Sequence, residues 1–420
     1  MHAGGMDAQN SAAEPPLKQP DVQGLKHFKT LLPLFARLHN VGCERDTAGN
    51  RKLFFDGYCA LVMLYLFNPL LSSMNALQQA LKLPNVAKAL GVKPFSAGSF
   101  SEAPEVFKPE MLREIIGELA KEAKPLEPDA KLKDLKLALT LVDSTVLSGL
   151  PRLASAACEK TRVGVSRNGR AVYGWRMHMQ LDLASFVPRR VDVAGGCNAG
   201  EFRETNVLRR ALEANRCYTG DGGYADRELM DDVVKAKSGH VFRVREDIVF
   251  EVVTEKELSQ AALDAGVVRD VLMRWGDQTV RRLVELKVKP HPHRTRTGKV
   301  HSDRLLIVTS YFDLEAELVA LVYQQRYSVE LFFRFLKGMA GMGHLLSQRE
   351  EGMAIQSYCA VIACLIISLA IGRRPDKRTM EMLGFFLLGL ADEGDVLKHL
   401  NKPDNRGKKA LDELFKKCGF

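Results

Sequence analysis

No pair of cysteines stands two residues apart, so the commonest zinc and redox spacing is missing. The eight cysteines (43, 59, 158, 197, 217, 359, 364 and 418) follow no metal or disulfide pattern. Cys217, Cys359 and Cys364 lie in apolar runs and are expected in the core, and a reducing cytoplasm is the natural setting. Also missing is an apolar run of the roughly 20 residues a bilayer requires. The longest run, "YCAVIACLIISLAIG" at 358–372, is about 15 residues. "CALVMLYLFNPLL" at 59–71 is interrupted by Asn68 and Pro69. Both are expected to be buried helices, with no membrane partner. The stretch 1–25 lacks the apolar region of a signal peptide. Its Pro, Ala, Gln and Asp content predicts a disordered leader. No internal repeat and no clear helix-turn-helix signature is found.

What is present fits two or three domains with a real core: 420 residues, 46% of them apolar. The net charge of +9, from 60 Lys and Arg against 51 Asp and Glu, permits a polyanionic partner. A mildly basic soluble protein would carry the same excess.

Residues 26–132 read as a helical N-terminal domain, with apolar positions at three- and four-residue steps. Within it, "SSMNALQQALKLPNVAKALG" predicts one helix capped by Ser72 or Ser73 and stopped at Gly91. The texture then changes. "LKLALTLVDST", 135–145, predicts a strand ending at Asp143, and 171–183 and 186–196 an antiparallel pair. A helix over 199–215, a short strand at 217, a helix and another strand follow. This order predicts an α/β core from 133 to 246. A β-rich insertion is expected over 247–304, ending in the basic loop "HPHRTRTGKVHSDR". The core resumes over 305–375 with a last strand and a helix that Asp313 can cap, and helices close the chain over 376–420.

Three acids stand out by placement: Asp143 on the first core strand, Asp221 ahead of two glycines, and Glu330 within "VYQQRYSVELFFRFLKG". On one continuous helix, Arg326, Glu330 and Lys337 point to about −60°, −20° and −40° relative to Tyr323. Two cations, an acid and a phenol then share a stripe roughly 60° wide, a face suited to a ligand both anionic and metal-bound. Two carboxylates at about 4 Å repel by roughly 4 kcal/mol at an effective dielectric near 20, so a proton or a divalent cation must offset them. All-oxygen ligands favour Mg²⁺ or Mn²⁺. A pair of ions could activate an attacking oxygen and stabilise a leaving one in phosphoryl transfer. Taken singly, each acid is as well explained as a turn or surface residue. Asp182 and Asp226 compete on the same grounds, and His178, one strand from Asp143, is best read as a satisfied core histidine.

Tyr323-x2-Arg326-x3-Glu330-x6-Lys337 resembles the YREK signature of the IS4 family of bacterial transposases. "LTLVDST" and "DGGY" resemble the segments holding that family's first and second catalytic aspartates, and "SAGSFSEA", 96–103, resembles its N-terminal region. The likeness runs from about residue 30 to about residue 375. Tyr327 stands where the family frequently has tryptophan.

The resemblance implies an RNase H-like DDE transposase with a β-rich insertion, its triad Asp143, Asp221 and Glu330 binding two Mg²⁺ ions for which Mn²⁺ can substitute. It implies double-stranded DNA as partner (terminal inverted repeats and target DNA), a homodimer in the DNA complex, and a bacterial, nucleoid-associated location. Relatives cut the element's end with water, and the freed 3′-OH then attacks the opposite strand to form a hairpin and finally the target. Tyr323, Arg326 and Lys337 would hold phosphates near the cut. Trp275, the one tryptophan of the insertion, would stack on a flipped base. Two other readings use the same fold: a DNA-binding regulator that no longer cuts, and a nuclease without strand transfer.

Overall fold

A computed structural model describes residues 32–68, 71, 73–126, 132, 137–148, 162–165, 171–195, 200–289, 303–339, 346–347, 349–372, 374, 377–387 and 389–402. The leader, residues 290–302 of the basic loop and residues 403–420 lie outside them.

Helix α1 (Phe55–Phe67) is apolar all round and buried on every side, as such a helix must be in water. α2 (Met74–Leu81) starts at Ser73, whose hydroxyl accepts the Ala76 N–H. The single helix expected here is in fact two. Pro84 has no N–H to continue the ladder and instead opens α3 (Pro84–Leu90), which Gly91 ends at φ 64°. After the short α4 (Ala97–Glu102), α5 (Leu112–Glu122) buries Leu112, Ile115, Ile116 and Leu119, the stripe its spacing predicts.

The sheet begins with β1 (Leu139–Ser148), β2 (Arg162–Val165), β3 (Ala171–Asp182) and β4 (Val187–Gly195). A short α6 (Glu204–Arg209) leads to β5 (Cys217–Gly220), and α7 (Arg227–Lys235) to β6 (Gly239–Val244). The helix expected over 199–215 is confined to α6 and one 3₁₀ turn. β3 runs antiparallel to both β1 and β4, whereas β5 is parallel to β1 and to β6. The order β4-β3-β1-β5-β6 is the RNase H-like arrangement.

The added strands extend this sheet. β7 (Glu251–Glu255), a short α8 (Gln260–Asp264), β8 (Val267–Arg274) and β9 (Val280–Lys287) follow β6. β10 (Arg304–Thr309), expected as a core strand, pairs antiparallel with β6 on one side and with β9 on the other. It therefore joins the core sheet to the added one. The pair Arg282–Asp270, almost fully buried at 2.7 Å, anchors the junction. The Arg282 guanidinium also donates to the carbonyls of Tyr311, Phe312 and Leu314, which lead into α9 (Ala316–Gln325). Glu315 rather than Asp313 occupies the cap position of α9.

α10 (Ser328–Met339) and α11 (Glu350–Ile371) complete the core, followed by α12 (Lys377–Leu387) and α13 (Glu393–Leu400). α11 is longer than its apolar run suggests and is apolar enough to cross a membrane, but 89% of its most apolar stretch is buried inside the protein. It packs against α1, α5 and β4 and so joins the helical region to the sheet. The sheet's two faces carry separate clusters. Leu139 and Leu141 belong to the large one shared with the helical region, and Val142 to a smaller one with Leu208, Tyr218, Tyr224 and Phe242. This is the alternation a strand imposes.

Candidate active site

Asp143 lies in the middle of β1, not at its end. β1 stays paired with β3 as far as Ser148, but the other neighbour, β5, stops at Gly220. The edge of β1 beside Asp143 is thereby opened. β1 and β5 are parallel with Leu141 opposite Thr219, so two residues further along each chain come Asp143 and Asp221. Neighbouring strands stand about 4.8 Å apart, so the register leads the two aspartates out to adjacent positions, near enough for Asp221 to act on the Asp143 carboxyl. Asp221 then turns the chain, its carboxylate accepting the Gly223 N–H at 2.9 Å.

Glu330 arrives from the helices. The stripe drawn on one helix needs correction, because the chain breaks at Arg326 and Tyr327 between α9 and α10. There Arg326, Tyr327, Val329 and Glu330 donate to carbonyls three residues back, a 3₁₀-type tightening that shifts the angular phase. Even so, Arg326 and Glu330 meet. Arg326 Nη2 stands 3.3 Å from Glu330 Oε1, and Nη1 stands 3.5 Å from Asp143 Oδ2. One buried guanidinium thus reaches both carboxylates, and its plane lies over the Tyr327 ring at 4.1 Å.

Electrostatics at Asp143 follows from this packing. Burial pushes its carboxyl up to about 7; Arg326 opposes the rise, while Asp221 and Glu330 add to it. Among the described residues no three His, Cys, Asp or Glu side chains close on a single point as a metal cage would. The Arg326 cation stands between Asp143 and Glu330 instead.

The other signature residues are placed differently. Tyr323 is fully buried and meets Tyr327 edge to face, so the phosphate contact expected of it is not open to it here. Burial raises its hydroxyl pKa, against the pull of Arg326. Lys337 is exposed; partial desolvation lowers its pKa, and Asp143 acts in the opposite sense. Trp275 follows β8 in the turn to β9, half-buried, with the Arg227 guanidinium 5.8 Å from its ring centre. Asp182 and Asp226 have structural work: Asp182 pairs with Arg216 at 2.9 Å, and Asp226 caps α7. His178 lies opposite Ser144 and Asp192 in the sheet, and burial lowers its pKa to about 4, so it stays neutral at pH 7. Among the described residues neither ring nitrogen has a hydrogen-bond partner within 3.5 Å, and a weaker influence of the Phe202 backbone opposes the fall of its pKa.

Sequence reasoning missed Glu204. This acid begins α6, and its Oε1 accepts from Ser144 and, at 3.1 Å, from Arg176. Its Oε2 lies against Gly223: a Cβ there would stand 2.1 Å away. An acid in the first turn of a short helix is so common that its position alone carries little signal.

Residues 135–366 match the family model described as the transposase DDE domain, a span that includes Asp143, Asp221 and Glu330 and more than half of the chain. The chain belongs to the DDE transposase family. A protein of Sinorhizobium fredii named as transposase y4zB is 27% identical over 249 residues, 59% of this chain and 64% of its own length. A transposase named for insertion sequence element IS5377 of Geobacillus stearothermophilus is 25% identical over 232 residues, 54% of this chain and 55% of its own. The chain therefore spans less than two thirds of the length of these two transposases. A transposase named for element IS4SA of Synechocystis is 22% identical over 289 residues, 67% of this chain and 74% of its own. Among solved structures, a piggyBac transposase synaptic complex with hairpin DNA gives a TM-score of 0.42 at 12% identity, covering 93% of this chain and 84% of that one.

Proposed function

We propose that this chain is a DNA transposase of the IS4 type, which cuts the ends of an insertion sequence and joins their 3′-OH to target DNA. The observation that carries this reading is the meeting of Asp143 and Asp221 through strand register, with Glu330 brought to Asp143 across one guanidinium.

In donor chemistry the residues suit a hard divalent ion, which would have to displace Arg326 from between Asp143 and Glu330. All the donors are carboxylate oxygens, and Asp143 is raised to about 7 by burial and acidic neighbours, the condition a bound cation relieves. Asp143, Asp221 and Glu330 would hold Mg²⁺, with Mn²⁺ as substitute, and the ions when bound would supply charge stabilisation to attacking and leaving oxygens. Arg326 competes with such ions for the same carboxylates, and its fork, once free, suits a phosphate. Lys337, exposed on α10 beyond Glu330, offers a cation to a neighbouring phosphate of terminal inverted repeats or target DNA. Tyr323, buried against Tyr327, packs the ring over which Arg326 lies. Trp275, half-buried where the chain leaves β8 for the turn to β9, is the residue proposed to stack on a flipped base if cutting proceeds through a hairpin. Cutting paired ends requires two protomers on the DNA, and the compartment is that of the bacterial nucleoid.

The deciding assay uses DNA carrying the repeats that flank the gene, with a target plasmid and Mg²⁺. The wild type is expected to nick the ends and join them, while Asp221→Asn binds them without cutting. Binding without cutting by the wild type would instead identify a regulator. Hydrolysis with no joined product would identify a nuclease.

A further inference from the structure

Arg326 and Glu330 approach Asp143 from one face of the sheet, and Glu204 stands on the other. Ser144, next to Asp143, points to the opposite face by strand alternation. That face carries Val142, Leu208 and Tyr224, and Leu208 is on the same helix as Glu204. Oε1 of Glu204 takes the Ser144 hydroxyl and the Arg176 guanidinium, which also donates to Ser144 Oγ at 2.9 Å. Oε2 fills the space that a side chain at position 223 would need. Gly223 in turn gives its N–H to Asp221. One half-buried carboxylate therefore touches the residue after Asp143 and the residue that holds Asp221.

We propose that Glu204 is a positioning residue for the two aspartates: it ties β1 to the Asp221–Gly223 turn, and Gly223 is glycine because this carboxylate occupies its side-chain space. Nothing in this role requires Glu204 to touch DNA or an ion. It fixes the distance between two acids supplied by different strands, much as outer partners orient metal ligands elsewhere. This inference rests on the reading of Asp143 and Asp221 as a divalent-ion site.

Mn²⁺ affinity of the protein alone, followed by electron paramagnetic resonance, gives a readout independent of DNA cutting. Glu204→Ala is expected to weaken Mn²⁺ binding about 10- to 100-fold, the usual cost of losing such a partner. Glu204→Gln, which keeps the shape and one acceptor, should retain more of the affinity. Gly223→Ala should weaken binding by a similar factor in the wild type and by a smaller one in the Glu204→Ala background, where the 2.1 Å clash is gone and only the contact with Asp221 Oδ1 at 3.1 Å is left. That pairing keeps the test informative even if Gly223→Ala alone folds poorly. If Glu204→Ala binds Mn²⁺ like the wild type while Asp221→Asn loses it, this inference fails and the ion site stands. It fails equally if the Glu204 and Gly223 effects multiply as independent sites do. If Asp221→Asn binds like the wild type, or the wild type binds no Mn²⁺, the ion site and this inference fall together.

Discussion

Arg326 and Asp143 are 183 residues apart in the chain, and Nη1 of one stands 3.5 Å from Oδ2 of the other in the interior of the protein. The arginine side chain is 8% exposed and the aspartate 17%, so water screens their interaction little. At that separation, with Glu330 on the second nitrogen, the guanidinium acts as the cation of the acidic cluster. Among the described residues its Nε has no hydrogen-bond partner, so the ion pairs supply most of its compensation.

Replacing this cation should expose the cost. Arg326→Met is expected to lower stability by about 1–3 kcal/mol, the penalty of leaving buried polar partners unmatched. The loss stays below that of a fully stranded buried charge because Asp143 can take up a proton. Arg326→Lys should recover only part, since an ammonium cannot fork to two carboxylates. Urea denaturation of the three proteins at pH 8 measures this, and equal midpoints would show the guanidinium to be dispensable.

Asp143 makes stability depend on pH. Its carboxyl is raised from an ordinary 3.8 to about 7 in the folded state. Between those values the folded protein holds the proton more tightly than the unfolded chain does. The contribution is therefore complete below pH 3.8 and is lost as pH rises through 7. At about 1.4 kcal/mol per pH unit, the span of roughly three units amounts to at most about 4 kcal/mol. Without divalent ions, Asp143→Asn should match the wild type near pH 4 and exceed its stability at pH 8. Adding Mg²⁺ at pH 8 should stabilise the wild type and not the variant. Parallel stability curves for the two proteins would contradict this account of Asp143.

Lys337→Ala separates binding from folding. An exposed lysine contributes little to stability, so the change should fall within about 0.5 kcal/mol. End-DNA affinity should fall, and the slope of log affinity against log salt should shrink by about one unit. Fluorescence anisotropy over a salt series measures it. A lowered melting temperature with an unchanged slope would return Lys337 to a structural role.

The added strands can be tested apart from the acids. Arg282→Met leaves Asp270 buried without its partner and should cost about 3–5 kcal/mol. The double variant Arg282→Met, Asp270→Leu should recover much of it, because both charges are then gone. Chemical denaturation of the two variants gives the comparison. A loss under about 1 kcal/mol in the single variant would show that the pair does not anchor the sheet.

Much of the fold was legible in short windows. The periodicity of β1, β5 and β6, the apolar stripe of α5 and the Ser73 cap each follow from residues within a few positions of one another. Where such reading went astray, a local competitor was responsible: Pro84 divided a helix, 3₁₀-type bonds broke the stripe at Arg326, and α11 outran its apolar run. The length of β1 was of another kind. Its strand continues past Asp143 because β3 pairs with it to Ser148, and no window around Asp143 contains β3.

The sequence by itself determined which groups were on offer: acids at 143, 221 and 330 and a fork at 326, set in apolar stretches that had to be buried. Only the tertiary structure decided how they meet. Parallel register put Asp143 beside Asp221, the packing of α10 against β1 delivered Glu330, and the break between α9 and α10 delivered Arg326. From the opposite face, a glycine without a side chain let in Glu204. The physical reason is reach: backbone preferences act over a few residues, whereas a buried charge is compensated by whatever the packing brings to it from anywhere in the chain.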